Sequence, residues 1–86
     1  MVKYSIEIKR SAQKEIESIS TKKDRQRIIR RITALANDPR PPGCEKLSGS
    51  EHYRVRQGRY RIIYEVQDKK LIIVLIKVGD RKDVYR

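Results

Sequence analysis

The sequence predicts a single α+β domain over residues 1–86, in the order β-α-α-β-β-β, with two N-terminal helices packed on one face of an antiparallel sheet. Apolar residues recur with a helical period in the first half of the chain. After the proline-rich break "NDPRPPG" they alternate with the period of a strand. A chain of this length buries only about 60–65% of its unfolded surface, so we expect one modest core.

The chain opens with a predicted strand over residues 2–8. Tyr4, Ile6 and Ile8 fall on one face of this strand. Ser11 is suited to cap a short helix over residues 11–19, because its hydroxyl can accept a hydrogen bond from a free backbone amide. The apolar stripe of that helix consists of Ala12, Ile16 and Ile19.

A second, longer helix is predicted to begin at Thr21, where "TKKD" reads as a variant capping box. Its apolar residues follow the spacing of a single buried face: Ile28, Ile29, Ile32, Leu35 and Ala36. The opposite face is basic and comprises Lys22, Lys23, Arg25, Arg27, Arg30 and Arg31. Such a face is either simply solvated or docks on RNA, and the sequence leaves both readings open.

Three strands are predicted to follow, over residues 52–57, 59–67 and 71–78. Residues 71–76 are apolar on both faces, which favours an interior strand covered on both sides. Alternate residues of the first two strands would face the helices: Tyr53, Val55, Tyr60, Ile62, Tyr64 and Val66.

The segment "HYRVRQGRYRIIYEV" gathers arginines on the other face of this hairpin. With a two-residue turn at 57–58, Arg56 would oppose Arg59 and Arg54 would oppose Arg61. Opposed like charges are destabilising, by about 1–3 kcal/mol at ~5 Å. Either the side chains spread into water or an anion binds between them. Because the arginine fork donates two hydrogen bonds to phosphate, we predict a phosphate-binding face.

Charge and composition agree with an anionic partner. The chain has 22 Lys and Arg residues against 11 Asp and Glu, a net charge of +11, which favours nucleic acid first and acidic proteins second. A single cysteine, Cys44, and a single histidine, His52, make a zinc site improbable and exclude an internal disulfide. We therefore expect no metal or other cofactor and a cytoplasmic location.

Three segments together resemble a known family: "KLSG" (46–49), "YRVRQGRYRIIYEV" (53–66) and "VLIKVGDRKDVY" (74–85). They are similar to RelE-type toxins of the RelE/ParE superfamily, the toxin halves of bacterial and archaeal toxin–antitoxin pairs. The resemblance implies a ribosome-dependent endoribonuclease that cuts mRNA in the A site and inhibits translation. It also implies a small acidic, RelB-like antitoxin as partner, besides the ribosome and mRNA.

The resemblance further implies which residues act. Arg61, Arg81 and Tyr85 match the catalytic positions of the family. The predicted phosphate-binding residues are Arg54, Arg56, Arg59 and Lys46. Well-known members have lysines in place of Arg54 and Arg56 and carry an additional C-terminal helix, so the proton acceptor stays open. His52 is the one side chain with an ordinary pKa near neutrality.

Two alternatives stay open at this point. A gyrase poison of the ParE type would share the fold but generally lacks the set Arg61, Arg81 and Tyr85. A non-catalytic basic RNA-binding module would explain the charge without requiring these three residues.

Overall fold

The computed structural model describes residues 3–47, 49 and 51–80. Their elements are β1 (Ser5–Ile8), α1 (Arg10–Glu17), α2 (Lys22–Leu35), β2 (Glu45–Lys46), β3 (His52–Gln57), β4 (Tyr60–Gln67) and β5 (Ile72–Asp80). The strands form one sheet in the order β1-β5-β4-β3-β2, and both helices pack on one face of it. The predicted α+β class is confirmed. Within the described ranges, no helix has the length and apolar character needed to cross a membrane.

The sheet is mixed, so the prediction of a wholly antiparallel sheet is wrong in one place. β1 runs parallel to β5, with Ser5 opposite Ile72 and Ile8 opposite Leu75. The other pairs are antiparallel. Parallel pairing requires a long crossover connection, which the two helices and the hairpin between β1 and β5 provide.

The helix starts differ slightly from those predicted. Lys9 stands at the N-cap of α1, so Ser11 lies within the first turn and is not the cap. Thr21 does stand at the N-cap of α2, although its hydroxyl makes no capping hydrogen bond. Arg25 of α2 holds the segment that connects the helices: its Nη1 donates to the carbonyl oxygen of Ile19 at 2.5 Å.

The core lies between the helices and the sheet. α2 contributes the buried residues Ile28, Ile32 and Leu35, whereas Ile29 is 51% exposed. Ile29 was predicted to be buried, but it lies at the margin of the stripe that faces the sheet. The sheet contributes Tyr53, Val55, Ile62, Tyr64, Val66, Ile73, Leu75 and Val78. Tyr60, also predicted in the core, is only partly buried against it.

β5 is interior in the sheet, between β1 and β4, as predicted. Its alternate residues Ile73 and Leu75 are fully buried under the helices. Ile72 and Val74 on the other face are only half-buried. The prediction that this strand is covered on both sides is therefore wrong, because both helices lie on the same side.

The far end of β5 is held by a helix rather than by a strand. β1 stops opposite Leu75, so beyond this point none of the described strands borders β5 on that side. Glu15 of α1 replaces that neighbour: its Oε1 accepts from the backbone amide of Val78 at 3.0 Å and its Oε2 accepts from Nζ of Lys77 at 2.9 Å. This contact fixes the end of β5 that runs beside Arg61 of β4.

Candidate nucleic-acid interface

The β3–β4 hairpin turns through Gly58 and Arg59, with Gln57 paired to Tyr60. The predicted turn at 57–58 is therefore wrong. Gly58 has φ +60°, which matches a type II′ turn with glycine at the first loop position. Relative to the predicted register, the two strands are shifted by two residues. Because side chains in a strand alternate with a period of two, each residue still lies on the predicted side of the sheet.

The observed register places Arg56 directly opposite Arg61, and Arg61 opposite Gly79 of β5. Arg54 lies opposite Ile63 rather than Arg61. Residues opposed in a ladder point to the same side, so Arg54, Arg56 and Arg61 share the side of the sheet turned away from the helices. We call these three residues and their surface the arginine face.

The members of the arginine face differ in exposure. Arg56 is exposed, whereas Arg61 is only 2% exposed. A concavity of about 120 Å³ opens at this end of the hairpin, lined by Arg56, Gly58, Arg59, Tyr60 and Arg61. Because glycine stands opposite Arg61 on β5, no side chain from that position of the strand crowds the guanidinium.

Arg54 is engaged by an acidic neighbour. Glu45 of β2 lies opposite Arg54, and Nη2 of Arg54 donates to its Oε2 at 2.5 Å. This hydrogen bond, with the positive charge of Arg54 and then of Arg56 and Arg61, holds the pKa of the Glu45 carboxyl below its ordinary value. A carboxylate therefore stands on the arginine face.

Arg59 was predicted to lie opposite Arg56. It lies in the turn instead, so that prediction is wrong. Its Nε and Nη2 both donate to Oδ2 of Asp80, at 2.7 and 2.5 Å. The Asp80 contact raises the pKa of the Arg59 guanidinium. The side chain is 71% exposed, so Arg59 can reach an anion at the tip of the hairpin but stands beside the arginine face.

Lys46 and His52 are placed away from the Arg56–Arg61 pair. Lys46 lies opposite Tyr53, a core residue, and so belongs to the helix side of the sheet rather than to the arginine face. His52 lies opposite Glu65. It precedes Arg56 by four residues of an extended strand, a separation of about 14 Å.

Arg81 and Tyr85 lie outside the described residues. Their assignment to the site stays a prediction that rests on the family resemblance. The described part of the site consists of the arginine face, Glu45 and the hairpin tip.

The sequence did not predict that two acidic residues belong to this region. Glu45 falls in the predicted loop over residues 37–51, because a two-residue strand has no measurable periodicity. Asp80 becomes a partner of Arg59 only through the β4–β5 register. These carboxylates stand apart: in the described ranges, no group of three His, Cys, Asp or Glu residues is placed to hold a metal ion.

A second basic surface lies on the other side of the molecule. α2 turns its buried residues toward the sheet, so its outer face points away from the arginine face. The exposed basic residues of this outer face are Lys22, Lys23, Arg27 and Arg30. Arg25 and Arg31, predicted in the same group, are half-buried. The protein therefore presents positive charge on two opposite sides.

Comparison with known proteins identifies the relatives of this chain. The family model described as ParE toxin of type II toxin-antitoxin system, parDE, matches residues 6–85. A RelE-like toxin protein of Escherichia coli is 26% identical over 88 aligned residues, which cover 98% of this chain and 92% of that protein.

Solved structures show the same similarity in three dimensions. The toxin in an archaeal RelE–RelB complex from Pyrococcus horikoshii is 30% identical, with a TM-score of 0.82 over 94% of this chain and 97% of that chain. The intact E. coli RelBE toxin–antitoxin complex gives 25% identity and a TM-score of 0.77, over 90% and 95% of the two chains. The two helices and the five-stranded sheet are therefore the fold of these toxins.

Proposed function

We propose a function on one premise: the chain belongs to the ParE toxin family, within the RelE/ParE superfamily, and is a RelE-like toxin of a type II toxin–antitoxin system. The function we infer is that of an endoribonuclease that cleaves mRNA in the ribosomal A site without a metal ion. By cutting translated messages, it would inhibit protein synthesis.

The observation that carries this proposal is the Arg56–Arg61 pair, with Arg54 beside it. Two guanidinium groups held opposite each other repel, and an RNA phosphodiester between them would turn that repulsion into binding. If the charges of this face were merely solvated, there would be no reason for an arginine to be almost fully buried, as Arg61 is.

The reaction that suits this site is an attack by the RNA on itself. The 2′-oxygen bonds to the adjacent phosphorus, the bond from phosphorus to the 5′-oxygen breaks, and a 2′,3′-cyclic phosphate and a 5′-hydroxyl result. Arg61 and Arg81 would stabilise the charge that develops on the phosphorus oxygens. Arg54 and Arg56 would hold the scissile and neighbouring phosphates, and Tyr85 would stack on a base or assist proton transfer.

The ribosome would supply the alignment of the reacting atoms, which the arginine face cannot impose by itself. Aligning the 2′-oxygen, phosphorus and 5′-oxygen can be worth up to about 7–11 kcal/mol, and a shallow sheet surface cannot impose that order on free RNA. An mRNA already held in the A site could be bent onto the arginine face. The basic outer face of α2, on the opposite side, would then contact ribosomal RNA phosphates.

The test compares two substrates at equal RNA concentration and fixed low salt. Programmed ribosomes with a vacant A site should be cleaved efficiently, and the same mRNA without ribosomes slowly or not at all. Equal rates on both would show that the protein organises RNA unaided, and intact mRNA in both would refute the nuclease.

The partner we propose is a small acidic antitoxin. The structures of RelE toxins in complex with RelB support such a partner. The side of the sheet away from the helices also carries the half-buried apolar residues Ile63, Ile72 and Val74, which a wrapping segment would cover together with the arginines. The purified complex should be inactive on ribosomes, and cleavage as fast as that of the free toxin would contradict this inhibition.

A second candidate function follows from the family description, which names the ParE toxins. A ParE-type gyrase poison would act on DNA through gyrase instead of on mRNA. Induced expression in cells separates the two: the nuclease should cut translated mRNA while the DNA stays whole, and the gyrase poison should induce DNA damage while mRNA stays intact.

A further inference from the structure

β5 contains a bulge close to the arginine face. In the ladder with β4, Tyr64 lies opposite Leu75 but the preceding residue, Ile63, lies opposite Lys77, so Ile76 is an extra residue on β5. Because side chains in a strand alternate with a period of two, one extra residue reverses the side to which all later residues point. The bulge therefore decides which residues of β5 lie on the arginine face.

The bulge places a glycine beside Arg61. Val78 lies opposite Ile62 in the core, and the next residue, Gly79, lies opposite Arg61. Without the extra residue, Val78 would lie opposite Arg61. Lys77 would then face the core, opposite the fully buried Ile62. In that register an isopropyl group would stand beside the guanidinium that lines the concavity of about 120 Å³.

Glu15 of α1 binds both residues that follow the bulge. Its Oε2 accepts from Nζ of Lys77 at 2.9 Å, and its Oε1 accepts from the backbone amide of Val78 at 3.0 Å. These are the two residues that would exchange sides if the bulge were lost. The slip is accessible because Lys77 lies beyond the end of β1, at an edge where its long side chain could turn to solvent.

The backbone contact is the stronger constraint of the two. Val78 is only 2% exposed, so its amide needs an acceptor from the protein, and Glu15 provides one. The side chains of Lys77 and Glu15 are 42% and 30% exposed, so water screens their ion pair in part. A variant that keeps an acceptor for Val78 should therefore keep the register.

We propose that Glu15 is a positioning residue of the arginine face. It acts through β5, by holding the bulge in the register that keeps Gly79 opposite Arg61. Its effect on cleavage rests on the nuclease function proposed above, whereas its effect on the register can be measured in the free toxin.

The first test measures the register by nuclear magnetic resonance of the free toxin. Glu15→Ala should lose the cross-strand contacts between Arg61 and Gly79, and its Val78 amide should exchange faster with solvent. Alanine favours helices, so α1 itself should not be weakened. Glu15→Gln, whose amide oxygen can still accept from Val78, should retain both features. Glu17→Ala, the same change at an exposed position of α1, is the matched control. An intact Arg61–Gly79 contact in Glu15→Ala would overturn the proposal.

The second test measures single-turnover cleavage on programmed ribosomes over a range of toxin concentrations. Glu15→Ala should lower the rate at saturation by up to about 10²-fold, as expected of a misplaced site. The half-saturating concentration should not change, because the proposed ribosome contacts lie on the outer face of α2. Glu15→Gln should retain most of the wild-type rate. A loss that the unfolded fraction explains, or an equal loss in both variants, would contradict a positioning role.

A third variant creates the crowding without touching Glu15. Gly79→Val places an isopropyl group beside Arg61 in the native register, so it should reproduce the slow cleavage of Glu15→Ala even if that protein folds poorly. Wild-type cleavage by Gly79→Val would show that the glycine is not required. A wild-type toxin inactive on ribosomes would refute the nuclease function, and the effect of Glu15 on cleavage with it, while the first test would still decide whether Glu15 holds the register.

Discussion

Arg56 and Arg61 stand directly opposite each other on neighbouring strands, one exposed and the other almost fully buried. Opposed like charges cost the fold stability, so this pair is expected to be retained for binding rather than for folding. The first two predictions separate these roles.

Replacing Arg56 should stabilise the protein and weaken its activity. Arg56→Thr removes the repulsion and inserts a residue suited to strands, so the free energy of unfolding should rise by up to about 1 kcal/mol. Urea unfolding and cleavage on programmed ribosomes measure the two effects. Arg54→Thr is the matched control, because it breaks the contact with Glu45 and should bring no such gain. A less stable Arg56→Thr would contradict net repulsion in the pair.

Replacing Arg61 should abolish toxicity without unfolding the protein. Arg61→Lys keeps the charge and most of the buried volume but loses the planar fork, so the cleavage rate should fall by at least about 10²-fold. Growth inhibition and single-turnover cleavage are the measurements. Arg10→Lys makes the same chemical change at the exposed start of α1, away from the site, and should behave nearly as wild type. Full toxicity of Arg61→Lys would remove Arg61 from the site.

The outer face of α2 should govern association with the ribosome and not the chemistry. Changing Lys22, Lys23, Arg27 and Arg30 to Gln should weaken ribosome binding and reduce its salt dependence, by about 0.7–0.9 in the logarithmic slope per lost phosphate contact. The cleavage rate at saturating ribosomes should not change. Neutralising Lys69 and Lys70 in the β4–β5 turn is the control. An unaltered salt slope would mean that this face is only solvated.

Asp68 should make stability depend on pH. Nη2 of Arg40 donates to it at 2.8 Å and Oη of Tyr4 at 2.7 Å, and these bonds lower the pKa of its carboxyl. Since the folded-state pKa lies below the unfolded one, this stabilisation is complete above the unfolded pKa and is lost as pH falls through the folded value.

Asp68→Asn should therefore lower the free energy of unfolding at neutral pH, and by less in acid. Urea unfolding at about pH 7 and about pH 3, on either side of the ordinary Asp pKa, measures this difference. Glu51→Gln, an exposed carboxylate change on another loop, is the control. An equal loss at both pH values would show that Asp68 acts through packing and not through its charge.

The elements of the fold could be predicted because their signals are local. The helical spacing of Ile28, Ile32 and Leu35 and the alternation from Tyr53 to Val66 specify which side of each element is buried. The hairpin register depends on something else, the turn type, which is set by whether Gly58 takes the first or the second loop position. Both positions fit the sequence, so the partner of Arg61 was assigned wrongly while its side of the sheet was assigned correctly.

Features that depend on distant parts of the chain could not be predicted. Glu45 carries no pattern of its own and joins the site only because β2 pairs with β3. The parallel direction of β1 is likewise decided by where the chain returns after two helices and a hairpin. The local periodicity of the sequence does not indicate either the β2–β3 or the β1–β5 pairing.

The parallel pairing of β1 with β5 also bears on when the protein can become active. β1 is synthesised first, and its partner is the last described strand to be made, which also supplies Gly79 beside Arg61. Contacts between such distant segments form late and slowly in folding. A nascent chain would thus carry an unassembled arginine face through most of its synthesis. The ribosome that synthesises the toxin would therefore not be exposed to a complete arginine face on the chain that it is still translating.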